Sequence, residues 1–208
     1  ADDNKPAVVQ KWDESKAQIA LFNAATYREG LGQLKAALKN REHYIELWPK
    51  SKDTEAAFLS VVDLHVKQGA YLKAIKLLEE YERDNMRSQS KFLMAEGRIV
   101  DIYAKMKKTN DVRRMNKRIF EYFDQLPRRQ QTALEKPALA AAAQANLLAI
   151  EPDWNEFRRL KLYWGVPPSP ERFKGSLADK GRALEVVQKK YVQTVALGAP
   201  ELAICALQ

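Results

Sequence analysis

The sequence contains very little cysteine, histidine, glycine or proline. Its 208 residues include one cysteine, two histidines, eight glycines and nine prolines. A single cysteine, Cys205, excludes an internal disulfide bond, and His43 and His65 are too few and too isolated for a zinc site. Scarce glycine and proline favour helices over sheets and turns. No run approaches the ~18 apolar residues of a membrane-spanning helix, so we expect no transmembrane segment here.

The motifs of common catalytic centres are also missing. There is no GxxxxGK[ST] phosphate loop, no GxGxxG dinucleotide motif and no glycine-flanked nucleophilic serine. Cys205 stands in an apolar run, which is typical of a core residue and not of a nucleophile beside a base. We therefore predict that the protein is not an enzyme and binds neither a metal ion nor a cofactor.

The formal net charge is +8. Such a charge is compatible with a nucleic-acid partner, an anionic membrane surface or an acidic protein, and also with solubility alone. The most basic stretch, 105–118, holds seven cations and only one carboxylate, Asp111. Met115 and Ile119 occur there at helical spacing, so we interpret these cations as the solvated side of a helix.

A repeat of 37 residues dominates the first half of the chain. Six positions recur at this spacing: Leu21, Ala24, Ala25, Gly32, Ala37 and Tyr44 correspond to Phe58, Val61, Val62, Gly69, Ala74 and Tyr81. A period of this size indicates a helical hairpin, and one hairpin cannot bury its apolar face without a neighbouring copy. The repeat predicts an all-α fold of stacked hairpins.

Apolar spacing and helix breakers place about ten helices along the chain. The predicted hairpins are 12–27 with 34–48, a helix ending near 67 with 71–83, and 88–107 with a helix through 112–123. After Pro127 we expect helices over 134–150, 154–163 and 177–197, then a last, truncated one. Pro152 is expected to separate the first two of these, and 165–170 is expected to be a linker.

Two segments resemble the central signature of tetratricopeptide (TPR) repeats, GAYLKAI at 69–75 and GQLKAA at 32–37. The resemblance implies a right-handed α-α superhelix, with three TPR-like hairpins in residues 1–127. It implies degenerate repeats in 128–208, which stop inside an apolar run and suggest a longer protein. The sequence departs from the pattern at Arg28, Arg41 and His65, where aromatic residues are expected. The third unit has Lys107 and Val112 in place of the glycine and alanine.

In the TPR family, ligands lie along a concave face formed by the first helix of each hairpin. Carried over residue by residue, this face comprises Phe22, Thr26, Glu29, Leu59, Asp63, Val66, Lys67, Met94, Asp101, Ala104 and Lys105. Alternating charge and apolar surface suits an extended or helical peptide of a partner protein. The alternative interpretation of these residues is an ordinary solvated face.

Residues 43–81 and 191–207 also resemble, in style, large repeat proteins of bacterial cell envelopes, including some of a gliding-motility apparatus. This resemblance implies a noncatalytic scaffold that binds protein partners in a cell-envelope assembly. It also implies a periplasmic location, with the cytoplasm as the alternative. The competing function is that of a basic helical-repeat protein that binds nucleic acid.

Overall fold

The computed structural model describes residues 13–165 and 169–197. Within these ranges the chain forms nine helices and no strand, which confirms the all-α prediction. The helices are α1 (Glu14–Gly30), α2 (Leu34–Leu47), α3 (Thr54–Lys67), α4 (Tyr71–Asp84), α5 (Gln89–Lys105), α6 (Thr109–Gln125), α7 (Arg128–Thr132), α8 (Lys136–Arg159) and α9 (Pro170–Val195). The expected last helix lies outside the described residues.

Among the described residues, every helix is too short or too polar to serve as a membrane span.

The chain divides into two compact units, Ala1–Ile75 and Lys76–Gln208, with the division inside α4. In the first unit, α1 packs against α2 and α2 against α3. In the second unit, α5 and α6 form a hairpin, α8 packs against both of them, and α9 packs against α8. The boundary that the sequence predicts near residue 127 stays a prediction.

The same backbone turn ends α1, α3 and α5. Gly32 and Gly69 both have φ of +73°, and Lys107 has φ of +59°. In each turn the amide of this residue donates to the carbonyl three positions back, and the next amide donates to the carbonyl five positions back, at 2.8–3.0 Å. This is the Schellman pattern, which favours glycine at the positive φ. The predicted repeat therefore extends to the third hairpin, where lysine replaces glycine.

Small side chains occupy the points where helices meet. Ala25, Ala37, Ala57 and Ala74 are completely buried. At the predicted repeat positions 44 and 81, both tyrosines are also buried. Alanine lets two helix backbones approach closely and loses little side-chain entropy on folding. The repeated alanines therefore set the distance at which successive helices pack.

In the second unit, the closest approach of α5 and α8 occurs at a glycine. A Cβ atom placed on Gly97 would lie 2.7 Å from the Cβ of Ala141. Ala138, Ala142 and Ala145 are buried along α8, so its alanine-rich segment serves packing.

The prediction that Pro152 interrupts the chain is wrong. Pro152 lies inside α8, which continues to Arg159, so the separate helix predicted over 154–163 does not exist. Proline removes the amide that would bond to the carbonyl of Leu148. Leu148 is 39% exposed, so the proline lies near a side of α8 that borders water, and the helix continues through it. The short α7 was not expected from the sequence.

Replacing Lys107 with glycine should stabilise the protein. A non-glycine residue in the left-handed region costs about 1–2 kcal/mol, which outweighs the extra entropy that glycine loses on folding. We expect the Lys107→Gly variant to gain about 0.5–1 kcal/mol in urea unfolding. Lys108→Gly is the matched control, since φ of Lys108 is −88° and no strain is relieved. Equal effects of the two changes would contradict the turn assignment.

Replacing Gly97 with alanine should destabilise the second unit. The new methyl group would force α5 and α8 apart, at a cost of about 1–3 kcal/mol in chemical unfolding. Gly181→Ala provides the control, because no atom lies within 4 Å of a Cβ there and alanine favours the interior of α9. That control should be neutral or stabilising. A stabilising Gly97→Ala would show that the two helices are farther apart than described.

Candidate partner-binding face

A buried arginine joins three helices of the first unit. Arg41 of α2 is 4% exposed. Its Nη2 donates to Thr26 Oγ1 of α1 at 2.9 Å, and its Nε donates to Ser60 Oγ of α3 at 3.1 Å. Nη1 has no hydrogen-bond partner among the described residues. Burial lowers the pKa of Arg41, and the nearby Glu29 carboxylate opposes that shift.

The same arginine covers Phe22. Its guanidinium carbon lies 3.8 Å from the centre of the phenyl ring, and Tyr44 meets that ring edge-on at a centroid distance of 5.6 Å. Arg41 stands where TPR repeats commonly have an aromatic residue, and a cation–π contact takes the place of an aromatic pair. Phe22 is consequently half-buried, and it is shared between the interior and the predicted face.

The predicted face residues of α1 and α3 come together in the first unit. Glu29 and Lys67 form an ion pair between the two helices, with side chains 24% and 52% exposed. Thr26 and Asp63 are exposed. Leu59 and Val66, both on α3, are half-buried. The face therefore presents charged and hydroxyl groups beside partly exposed apolar side chains, all on two fixed helices.

In the second unit, three residues of the predicted face lie along α5, at positions 94, 101 and 105. Met94 is half-buried, whereas Asp101 and Lys105 are exposed, as is Ala104. Burial raises the pKa of Asp101, and Lys105 and Arg98 oppose this rise. Met94 and Asp101 lie one turn before and one turn after Gly97 on the same helix, so both border the contact between α5 and α8.

Three of the four cations on α6 have carboxylate partners within the protein. Arg114 pairs with Asp111 at 2.7 Å, and Lys117 lies 3.7 Å from a carboxylate oxygen of Glu121. Met115 and Ile119 are buried on the other side of the helix. These contacts agree with the interpretation of this basic stretch as an outer helix surface.

A buried carboxyl group was missed by the sequence reasoning. Glu96 of α5 is fully buried, and its Oε1 lies 2.9 Å from Arg118 Nη1. A second nitrogen of that guanidinium lies 2.7 Å from Glu82. Burial, then the neighbouring Glu82 carboxyl group, raises the pKa of Glu96 to about 8, although the charge of Arg118 opposes the rise. At neutral pH the Glu96 carboxyl group therefore carries a proton.

His65 of α3 is another buried polar residue. It is 2% exposed, and neither ring nitrogen has a hydrogen-bond partner among the described residues. Burial lowers the pKa of His65, and the charge of Lys73 lowers it further. The ring therefore packs as a neutral group within the first unit.

Only a weak sequence signal marks these buried polar residues. Arg41 and His65 both stand at positions where the repeat pattern expects an aromatic residue and both are buried, whereas Arg28, which departs from the pattern in the same way, is exposed. Glu96 lies between the buried Leu93 and Ile99 at helical spacing. A charged residue inside an apolar helix stripe can indicate a buried group, but it does not identify the partner on another helix.

No protein-family model and no curated protein matches the chain. Two solved structures do, both of a Podosopora anserina protein described as a kinesin light chain with nearly identical TPR-like repeats. The first is 14% identical, with a TM-score of 0.45 over 92% of this chain and 99% of that one. The second is 15% identical, with a TM-score of 0.43 over 89% and 96%. Sequence identities and TM-scores this low carry no information about a shared binding partner.

Replacing Glu96 with glutamine should change how stability depends on pH. With a pKa of about 8 in the folded state and 4.5 as the ordinary value, the folded wild type holds one more proton between these limits. Its stability therefore falls as pH rises through this window, by up to about 1.4 kcal/mol per pH unit. Glu96→Gln stays neutral and removes this contribution.

The measurement is urea unfolding of both proteins from pH 4.5 to pH 8. The stability of Glu96→Gln relative to wild type should increase steadily with pH. Glu121→Gln serves as the control, because Glu121 is exposed on the same unit and should show a constant difference. A difference for Glu96→Gln that does not change with pH would mean that the carboxyl group is ionised in the fold.

Proposed function

We propose that this protein is a noncatalytic scaffold that binds segments of partner proteins on the first helices of its hairpins. The observation that carries the proposal is the position of Arg41, which joins α1 to α3 through hydrogen bonds to Thr26 and Ser60. A binding surface that is fixed before the partner arrives loses less entropy on association. Rigid first helices of adjacent hairpins supply such a surface.

The chemistry of the face in the first unit supports a peptide as the ligand. Thr26, Asp63 and Lys67 offer polar groups to a peptide backbone or side chains, and Leu59 and Val66 offer apolar contact between them. Extended and helical peptides need both kinds of contact, because their backbone amides require hydrogen-bond partners and their anchor side chains require apolar surface. The residues on α5 provide a second, separate surface of the same composition.

We extend the proposal to a multiprotein assembly of the bacterial cell envelope, with a periplasmic location and a role in gliding motility. The support for this extension is the resemblance of residues 43–81 and 191–207 to envelope repeat proteins. Fractionation of cells that produce the protein tests it. Recovery in the cytoplasmic fraction would contradict the location while leaving peptide binding open to its own test.

Peptides selected from a displayed random library on the full chain provide a probe for the proposed face. We predict that Lys67→Glu weakens binding of a selected peptide by about tenfold, or 1.4 kcal/mol, because the exposed end of the face reverses its charge. Its stability should change by less than about 1 kcal/mol, because Lys67 is half-exposed and its ion pair is a surface pair. Fluorescence anisotropy of the labelled peptide measures the affinity.

Two further variants make the test specific. Lys39→Glu introduces the same charge change at an exposed position of α2, outside the predicted face, and should leave the affinity unchanged. Asp63→Lys alters the face with the opposite sign and should change which peptides are selected. Equal affinities in all variants, or preferential capture of single-stranded RNA lost steeply with added salt, would refute peptide binding on this face.

A further inference from the structure

Residues 160–164, which follow α8, are held against the first turns of α9. The amide of Tyr163 donates to Ser176 Oγ at 3.0 Å, and Lys180 Nζ donates to the carbonyl of Leu160 at 2.9 Å. The ring of Trp164 meets Phe173 edge-on at a centroid distance of 4.8 Å. These contacts fix the backbone on both sides of the exposed side chains.

Large apolar side chains stay exposed on this anchored segment. Leu162, Tyr163 and Trp164 are 49%, 53% and 55% exposed. Leu177, one helical turn beyond Phe173, is 50% exposed. Four neighbouring apolar side chains held half in water by a fixed backbone are typical of an interaction surface, whereas scattered exposed residues are not.

Cations surround these side chains. Residues 158–174 contain five cations and one carboxylate, Glu171. All five, Arg158, Arg159, Lys161, Arg172 and Lys174, are exposed, and none forms an ion pair with a described residue. This differs from α6, where several cations have carboxylate partners. We call the four apolar side chains and these five cations the basic-aromatic patch.

We propose that the basic-aromatic patch binds the surface of a lipid bilayer that contains anionic headgroups. Tryptophan and tyrosine prefer the headgroup region of a bilayer, where an apolar ring meets water, and leucine can enter the acyl boundary below it. Unpaired lysine and arginine side chains near this depth attract anionic lipids. The patch supplies both contributions, whereas either one alone gives weak and reversible binding.

The apolar residues favour a bilayer over a nucleic acid. Single-stranded nucleic acids bind through phosphates and through bases that stack on open aromatic faces. Leu162 and Leu177 would have no apolar surface to contact in such a complex, and Trp164 already packs against Phe173. A bilayer accommodates all of these side chains together with the cations. This proposal does not depend on peptide binding by α1 and α3.

Vesicle co-sedimentation of the full chain tests the proposal. Vesicles of phosphatidylcholine alone are compared with vesicles that also contain phosphatidylglycerol, at low salt. We expect binding to the mixed vesicles to exceed binding to neutral ones by at least about tenfold and to weaken as salt is added. Tryptophan fluorescence should shift to shorter wavelength on binding, and Trp164→Phe should remove most of that shift.

Variants of the patch and a matched control complete the test. Lys161→Glu combined with Lys174→Glu should reduce binding to mixed vesicles about tenfold, while Arg128→Glu with Arg129→Glu carries the same charge change at exposed positions elsewhere in the unit and should not. Equal loss in both pairs would overturn the proposal. Wild-type binding that added salt does not weaken would also overturn it, and this result does not depend on the folding of any variant. Capture of a single-stranded oligonucleotide without capture of vesicles would overturn it as well.

Discussion

The fold depends on one backbone turn that recurs after α1, α3 and α5. Each turn requires a single residue at positive φ, and each closes with the same two hydrogen bonds to the preceding helix. This geometry reverses the chain within a few residues, so the following helix begins at a defined place. Hairpins with a fixed turn can then pack with small residues at their contacts, because alanine and glycine allow backbones to approach.

Polar groups occupy three interior positions where the repeat pattern would place aromatic or apolar side chains. Arg41 replaces an aromatic contact with a cation–π contact and two hydrogen bonds, and Glu96 reaches the interior by staying protonated beside Glu82. His65 remains neutral. A polar group loses its hydration when it is buried. It must therefore either gain a hydrogen-bond partner, as Arg41 does, or stay uncharged, as Glu96 and His65 do. Arg41 differs from the others because two of the residues it contacts, Phe22 and Thr26, belong to the proposed binding face.

Helices α1 to α6 could be predicted from the sequence because their apolar spacing and turn signals agree. The equivalence of Lys107 with Gly32 and Gly69 could also be predicted, because Lys107 stands one residue from the position that the 37-residue period gives for the third turn. The continuity of α8 could not. A proline rule does not reveal whether the carbonyl it leaves unbonded faces water, and that depends on neighbouring helices.

The predicted face residues lie on the expected helices, but sequence spacing could not show how Arg41 engages Phe22 and Thr26. Those contacts join residues far apart in the chain, and they decide which side chains remain accessible to a partner. The periodicity of the sequence likewise does not predict the Glu29–Lys67 ion pair, although both residues were assigned to the face. The basic-aromatic patch is defined by cations that lack carboxylate neighbours in the fold, and the sequence does not show which cations these are.

We propose that partners bind the first helices of the hairpins. The most direct measurement is a map of backbone amide chemical shifts while a library-selected peptide is added to the isotope-labelled protein. We expect the largest changes on residues 22–29 of α1 and 59–67 of α3, and little change on the exposed side of α2. Changes concentrated on the exposed side of α2 or on α9, with α1 and α3 unaffected, would contradict it.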